Sequence, residues 1–229
     1  GDLDEAAAIA AVASTLGALP AREEDFNPRD DNRTRSFTPK RGEYRLTHKG
    51  EPDQALLQWV WPTTDDSDQV EDQRLELLGR IVRLELTDRL REELGQAYSP
   101  SAGSNTSHYY PGYGTFAISA SVAADKLDAT RAAVTKLIAD LRAAPLAPDV
   151  IERARKPYVE EYNNFLKDLG GWTALASRAQ SEPDRIDRYF AAPGVVSAIT
   201  PDDIHRTALK YLDPDGAVIF TVLPEAASN

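Results

Sequence analysis

Two hydrogen-bond donors flank a break in the residue pattern near the middle of the chain. Arg91 falls in the last turn of a long helical segment, where a cation suits the helix dipole, and Gly95 ends that segment. Tyr98 then begins a strand-like run. A guanidinium and a phenol at one edge of a sheet can both donate to a carbonyl oxygen and stabilise a developing oxyanion. Spacing alone favours the simpler interpretation, an exposed arginine and a strand tyrosine.

Residues that bind metals or act as nucleophiles are sparse. The sequence has three histidines, His48, His108 and His205, and none lies within four residues of another, so the spacing H-x-x-E-H is absent. It has no cysteine, which excludes thiolate ligands and disulfides, and no G-x-S-x-G segment. We therefore predict no metal site and no cofactor in this chain. His108, inside an aromatic loop, is the histidine of most interest.

Charge and composition exclude several classes of partner. The net charge is −11 and the isoelectric point about 4.8, whereas nucleic acids and anionic membranes require basic surfaces. No apolar run approaches the roughly 20 residues of a membrane span, and no signal peptide is recognisable. The lack of methionine predicts a processed or excised part of a longer product. We expect polypeptide partners, with neither nucleic acid nor membrane among them.

The elements that position these residues come as strand pairs separated by helices. Apolar alternation predicts five strands: Glu43–His48, Gln54–Trp61 (ended by Pro62), Ala97–Gly103, Tyr113–Val122 and Ala217–Leu223. Periodicity and capping predict helices over residues 4–16, from Asp68 to Gly95, over Asp125–Arg142, from Pro148 to a stop at Gly170 and Gly171 with a kink at Pro157, and over Thr173–Gln180, Asp184–Phe190 and Thr200–Leu212.

Adjacent strand pairs are typically antiparallel, so the predicted fold class is α+β, a mostly antiparallel sheet with helices packed on one face. Residues 1–42 are predicted to form an N-terminal helix and linker, and residues 43–229 the α+β domain.

One segment carries a resemblance to a known family. The run from Leu90 to Ser99, LREELGQAYS, resembles a signature of the C-terminal-type, non-zinc domain of the pitrilysin/insulinase family of zinc metallopeptidases. The opening residues 1–20 and the closing residues 200–224 resemble the start and end of the same domain, in the same order and spacing. The resemblance implies a metallopeptidase half-domain.

The resemblance also implies a division of labour. In this family one half carries the inverted zinc motif and its glutamate base, and the other supplies an arginine and a tyrosine, which match Arg91 and Tyr98. The chain is then inactive alone, and its implied partners are a zinc-bearing half, on the same polypeptide or a separate subunit, and an unfolded peptide substrate. Zinc is expected in that partner half.

Further expectations depend on the same resemblance. The loop Ser104–Gly112, with Tyr109, Tyr110 and nearby Tyr113, either lines the substrate chamber or is an exposed hairpin tip, and the two interpretations have equal weight. The chain is expected to belong to a bacterial metalloendopeptidase, with the periplasm favoured over the cytoplasm. The alternative function is a catalytically inactive structural or assembly subunit, or a peptide-binding module.

Overall fold

The sheet has five strands in the part of the chain that the computed structural model describes, residues 2–20, 30–51, 53–94 and 100–225. The strands are β1 (Gly42–His48), β2 (Gln54–Thr63), β3 (Ser101–Thr106), β4 (Gly114–Ala123) and β5 (Val218–Pro224), in the spatial order β1-β5-β2-β4-β3. Strand β2 pairs antiparallel with β4 and β5, β3 pairs antiparallel with β4, and β1 pairs parallel with β5. The predicted, mostly antiparallel sheet is confirmed.

Helices cover one face of this sheet, as predicted. The helices of this layer are α2 (Gln69–Leu94), α3 (Leu127–Ala143), α4 (Pro148–Phe165), α5 (Leu169–Ala176), α6 (Arg185–Ala198) and α7 (Pro201–Tyr211), whereas α1 (Glu5–Ser14) belongs to a separate N-terminal unit. Helix α2 packs on β3, α3 on β2 and β4, and α7 on β2. Leu57 and Trp59 of β2 are buried on the helical side, whereas Leu56 and Gln58 on the opposite side are only half-buried.

Helix α2 is the central element of the helical layer. Asp68 accepts hydrogen bonds from the first-turn amides of this helix, and Leu75, Leu78 and Leu86 of the predicted apolar stripe are fully buried. Gly79 lets the helix approach β3 closely, since a Cβ atom there would lie 2.7 Å from the Cα of Gly103. This contact sets the position of α2 relative to the β3–β4 hairpin.

The prediction that two adjacent glycines stop the helix after Pro148 is wrong. Helix α4 already ends at Phe165, and Gly170 and Gly171 lie in the first turn of α5. The Asp168 carboxylate caps α5 by accepting a hydrogen bond of 2.9 Å from the amide of Gly171. A Cβ on Gly171 would lie 1.7 Å from the carbonyl oxygen of Phe165, so close packing between two helices accounts for this glycine.

Two strand boundaries also differ from the sequence prediction. Strand β2 runs past Pro62 to Thr63, because β5 pairs with β2 only as far as Val60 and leaves β4 as the neighbour of its last residues. The first strand of the hairpin extends to Thr106 rather than Gly103. The first residues of that predicted strand, 97–99, lie outside the described residues.

The chain clusters into two compact units, Gly1–Thr34 and Arg35–Asn229. The first contains α1, whose N-terminus is capped by Asp4 through a hydrogen bond of 2.9 Å from the amide of Ala7. Apolar side chains of this unit are exposed: Leu3, Ile9, Val12, Leu16 and Leu19. Among the described residues, no helix is both long and apolar enough to cross a membrane.

Candidate functional site

Arg91 lies where the sequence predicts it, in the last turn of α2. Its side chain is exposed, whereas the preceding Leu90 is fully buried and anchors this end of the helix. Tyr98, the second predicted donor, lies outside the described residues. The guanidinium of Arg91 is therefore accessible to a molecule that docks at the C-terminal end of α2.

Two of the three predicted loop tyrosines pack against the segment that precedes β1. The rings of Tyr113 and Phe37 are stacked, with centroids 4.5 Å apart and an interplanar angle of 11°. The guanidinium of Arg35 lies 4.6 Å from the ring centroid of Tyr113 and 5.5 Å from that of Tyr110. Tyr110 and Tyr113 are half-buried as a result, and part of their ring surface is already in use.

The loop that carries these tyrosines has a defined backbone. The Ser107 hydroxyl accepts hydrogen bonds from the amides of Tyr109 (3.2 Å) and Tyr110 (2.9 Å). Gly112, with φ of +68°, adopts the left-handed conformation that favours glycine, and its amide donates to the Asp65 carboxylate. These bonds tie the hairpin tip to the residues just before α2.

Tyr109 is directed differently from the other two. It is 51% exposed, its ring meets His108 edge-on with centroids 5.3 Å apart, and the guanidinium of Arg178 lies 5.9 Å from its centroid. His108 in turn places Nδ1 2.9 Å from an Asp66 carboxylate oxygen. Tyr109 is therefore the loop tyrosine that is most available to a ligand.

The loop and Arg91 lie at opposite ends of α2. The loop contacts the residues just before Gln69, where the helix begins, whereas Arg91 is in its last turn. At 1.5 Å per residue, Gln69 and Arg91 are about 33 Å apart along the helix axis. The structure does not bring the predicted catalytic arginine and the predicted substrate-binding tyrosines together into one small site.

A cavity of about 440 Å³, which sequence reasoning missed, lies between the start of α2 and helices α4, α5 and α6. One wall is aromatic and consists of four ring side chains: Tyr158, Tyr162, Phe165 and Tyr189. The sequence places the first two one helical turn apart on α4, which predicts only that they share a face. Its lining also includes polar residues from α2 and the hairpin loop, among them Asp72, Gln73 and His108.

Asp72 is a half-buried carboxylate that lines this cavity. Its Oδ1 accepts a hydrogen bond of 2.6 Å from the Thr106 hydroxyl, and its Oδ2 lies 3.4 Å from the side-chain amide of Gln73. Burial disfavours the charged form and raises the pKa of Asp72 above its ordinary value, although these hydrogen bonds and the charge of Arg188 oppose the shift.

The histidines are separated in space as well as in sequence. His48 Nε2 lies 2.9 Å from the carbonyl oxygen of Gln54, and His205 Nε2 lies 3.1 Å from that of Arg142, whereas His108 is in the hairpin loop. Across residues 2–20, 30–51, 53–94 and 100–225, no group of three or more potential ligands is arranged to hold a metal ion. The described residues therefore do not form a zinc site.

Comparison with known proteins identifies the domain type. A family model described as the peptidase M16 inactive domain matches residues 1–158. A search of curated proteins found no significant match.

Solved structures with the same fold span longer chains. A conserved protein from Enterococcus faecalis is 14% identical with a TM-score of 0.73, and the match covers 100% of this chain and 52% of the Enterococcus chain. A peptidase M16 inactive domain from Pseudomonas fluorescens is 18% identical with a TM-score of 0.68, covering 100% and 53%. The periplasmic protease PqqL from Escherichia coli is 12% identical with a TM-score of 0.69, covering 98% and 25%. This chain thus spans about half the length, or less, of the structures it resembles.

Proposed function

The chain belongs to the peptidase M16 inactive-domain family, and from this premise we propose that it acts as the non-zinc half of a zinc metalloendopeptidase. In this proposal a zinc-bearing half, on the same polypeptide or on a separate subunit, supplies the metal and the general base. The present chain, as the non-zinc half, binds an unfolded peptide and helps to stabilise the transition state of peptide-bond hydrolysis.

The observation that carries this proposal is that the whole of this chain has the fold of about half of a longer chain. The chain is covered completely by structures roughly twice as long, one of which is itself described as an M16 inactive domain. A domain that supplies no zinc site in its described residues, yet has this fold, is suited to work beside a second half.

The position of Arg91 supports the proposed catalytic role. It is an exposed cation in the last turn of α2, a helix whose apolar side is buried, so its guanidinium can reach a molecule that docks there. With Tyr98 it would donate hydrogen bonds to the substrate carbonyl oxygen. Such donors stabilise the negative charge that develops in the tetrahedral intermediate.

The half-buried face of the sheet is the surface we assign to peptide or to the second half. Register places Tyr44 beside Phe220 on this face, with ring centroids 5.7 Å apart, and Leu46 beside Val222. Leu46 is 50% exposed. Exposed apolar side chains on the face opposite the helices are typical of a surface that another polypeptide covers.

A second function, a catalytically inactive structural or assembly subunit, or a peptide-binding module, is favoured by the family description itself, which calls the domain inactive. The two functions differ in whether a zinc-binding half is encoded in the same polypeptide or by a neighbouring gene. An H-x-x-E-H helix in the rest of the polypeptide or in a neighbouring gene supports the peptidase. Its absence from both supports the structural subunit.

The decisive experiment replaces Arg91 in the assembled peptidase. We expect Arg91→Ala to lower kcat by about 10²–10³-fold, the usual loss for one oxyanion donor, with unchanged assembly. The matched control is Arg83→Ala, since Arg83 is an exposed arginine two turns earlier on the same helix. Equal and near-normal rates for both variants would remove Arg91 from the mechanism and favour the structural function.

A further inference from the structure

We propose that the cavity between α2, α4 and α6 binds an organic cation, an alkylguanidinium or alkylammonium group, with Asp72 as its charge partner and the tyrosine rings as its walls. The proposal is independent of the peptidase function, because the cavity lies at the opposite end of α2 from Arg91. It depends on three properties of the cavity: its aromatic wall, its charge balance and its size.

The tyrosine rings that line the cavity form a row, and two of their hydroxyl groups are hydrogen-bonded within the protein. Tyr158 and Tyr162 have centroids 5.4 Å apart, and Tyr189 continues the row at 5.5 Å from Tyr162. The Tyr158 hydroxyl donates to Gln73 Oε1 at 2.6 Å, and the Tyr189 hydroxyl donates to the carbonyl oxygen of Tyr162 at 2.6 Å. Because these hydroxyls are occupied, the rings offer a ligand mainly their negative faces, which attract cations.

The molecule already contains one cation held in this way. The guanidinium of Arg80 lies 3.9 Å from the ring centroid of Tyr158 and donates two hydrogen bonds to Glu161, of 2.8 and 2.7 Å. A tyrosine face and two carboxylates hold this guanidinium, since Arg80 also donates to Glu76 at 3.0 Å. The cavity likewise combines tyrosine rings, those of Tyr162 and Tyr189, with a carboxylate, that of Asp72.

Asp72 differs from the other charged groups of the cavity in lacking an ionic partner. Three others form ion pairs, Glu182 with Arg185 (2.7 Å), Asp184 with Arg188 (3.6 Å) and Glu161 with Arg80 (2.7 Å), and Asp66 lies 2.9 Å from His108 Nδ1. In the described part of the chain, no Lys, Arg or His nitrogen lies within 4.0 Å of the Asp72 carboxylate. An incoming cation would offset the desolvation of this carboxylate, whereas an anion would increase the repulsion.

The size and net charge of the cavity fit the same ligand class. Its volume of about 440 Å³ is within the range of small-molecule sites, which is about 300–1,000 Å³. Five carboxylates line it against two arginines: Asp66, Asp72, Glu161, Glu182 and Asp184 against Arg185 and Arg188. Carboxylates outnumber arginines among the lining residues, which favours a cation with an apolar stem over an anionic ligand.

The test is calorimetric titration of the full-length protein with matched charged and neutral probes. We expect butylguanidinium or the peptide acetyl-Gly-Arg-Gly-amide to bind at least tenfold more tightly than its neutral counterpart, butylurea or the citrulline peptide. Tighter binding of the peptide identifies a basic side chain as the natural occupant, and tighter binding of butylguanidinium identifies a free small cation. Equal affinity for charged and neutral probes, or no binding of any probe, overturns the proposal.

Two variants assign the binding to the cavity. Asp72→Asn keeps the size of the side chain and an acceptor for Thr106, and we expect it to weaken cation binding at least tenfold. Asp187→Asn is the matched control, since Asp187 is an exposed residue of α6 that does not line the cavity, and it should change affinity less than twofold. Equal effects of the two substitutions, or unchanged affinity in Asp72→Asn, would contradict the assignment.

Discussion

At the scale of single residues, two adjacent carboxyl groups of α2 have opposite environments. Glu71 accepts hydrogen bonds from Lys210 (2.6 Å) and the Tyr211 hydroxyl (2.9 Å). Burial alone would raise the pKa of Glu71, but these bonds and the charges of Lys210 and Arg74 hold it below its usual value. No cation donates a hydrogen bond to Asp72 among the described residues, and burial raises the pKa of Asp72 despite the opposing charge of Arg188. The charge of Glu71 therefore stabilises the folded state, whereas the charge of Asp72 destabilises it.

This contrast predicts opposite effects of two conservative substitutions on the free energy of unfolding. At neutral pH, Glu71→Gln should destabilise the protein by about 1–3 kcal/mol, because it removes charge-assisted hydrogen bonds. Asp72→Asn should stabilise it, because the folded state no longer holds a desolvated charge. The measurement is urea unfolding at pH 7 and again near pH 4.

The pH dependence distinguishes the two effects by sign. The stabilisation from Glu71 is present above its unfolded pKa of about 4.3 and is lost as pH falls through the lower folded value. The destabilisation from Asp72 is full above its raised folded pKa and disappears as pH falls towards its unfolded pKa of about 3.9. Both differences from wild type should therefore shrink in acid. A difference that grows in acid for either variant would contradict its assigned environment.

At the scale of elements, much of the fold is predictable from local patterns. The alternation of Leu57 with Trp59, and the helical stripe that includes Leu75 and Leu78, predict a strand and a helix that the structure confirms. Such periodicities arise because one face of the element is buried, and the spacing of apolar residues in the sequence shows which face that is. Arg91 could be placed at a helix end for the same reason.

The remaining features depend on contacts between distant segments. Gly171 resembles a helix stop in sequence, but its actual constraint is the Phe165 carbonyl oxygen, which only the packing of α4 against α5 reveals. The cavity likewise joins Asp72 of α2 to Tyr162 and Tyr189 of two later helices. Neither could be predicted from spacing, because no local pattern encodes which helices meet.

The contact between α2 and β3 gives a prediction for this scale. Gly79→Ala should destabilise the protein by about 1–3 kcal/mol despite the better helix propensity of alanine, because the new methyl group meets the β3 backbone 2.7 Å away at Gly103. Gly194→Ala in α6 is the control, since no atom lies within 4 Å of its added Cβ. It should stabilise by about 0.5–1 kcal/mol. Thermal unfolding measures both, and a gain in stability in both variants would show that α2 can shift away from β3.

At the scale of the whole molecule, the charge and the two candidate sites favour the same class of partner. The net charge of −11 attracts basic polypeptides over distances longer than a single contact. The hairpin loop with Tyr109 and the helix end with Arg91 are separated by about 33 Å along α2. A peptide that contacts both must be long, because an extended chain advances only about 3.3 Å per residue.

This geometry predicts that Tyr109 contributes to the binding of long substrates, and not of short ones, in the assembled peptidase. An extended peptide needs about ten residues to reach from Arg91 to the loop. In the proposed enzyme, Tyr109→Ala should therefore raise KM severalfold for a peptide of about fifteen residues and leave KM for a six-residue peptide unchanged. The short peptide is the internal control, because it reaches the catalytic end alone. Equal changes for both peptides would indicate a general structural effect, and no change for either would establish that the loop is only an exposed hairpin tip.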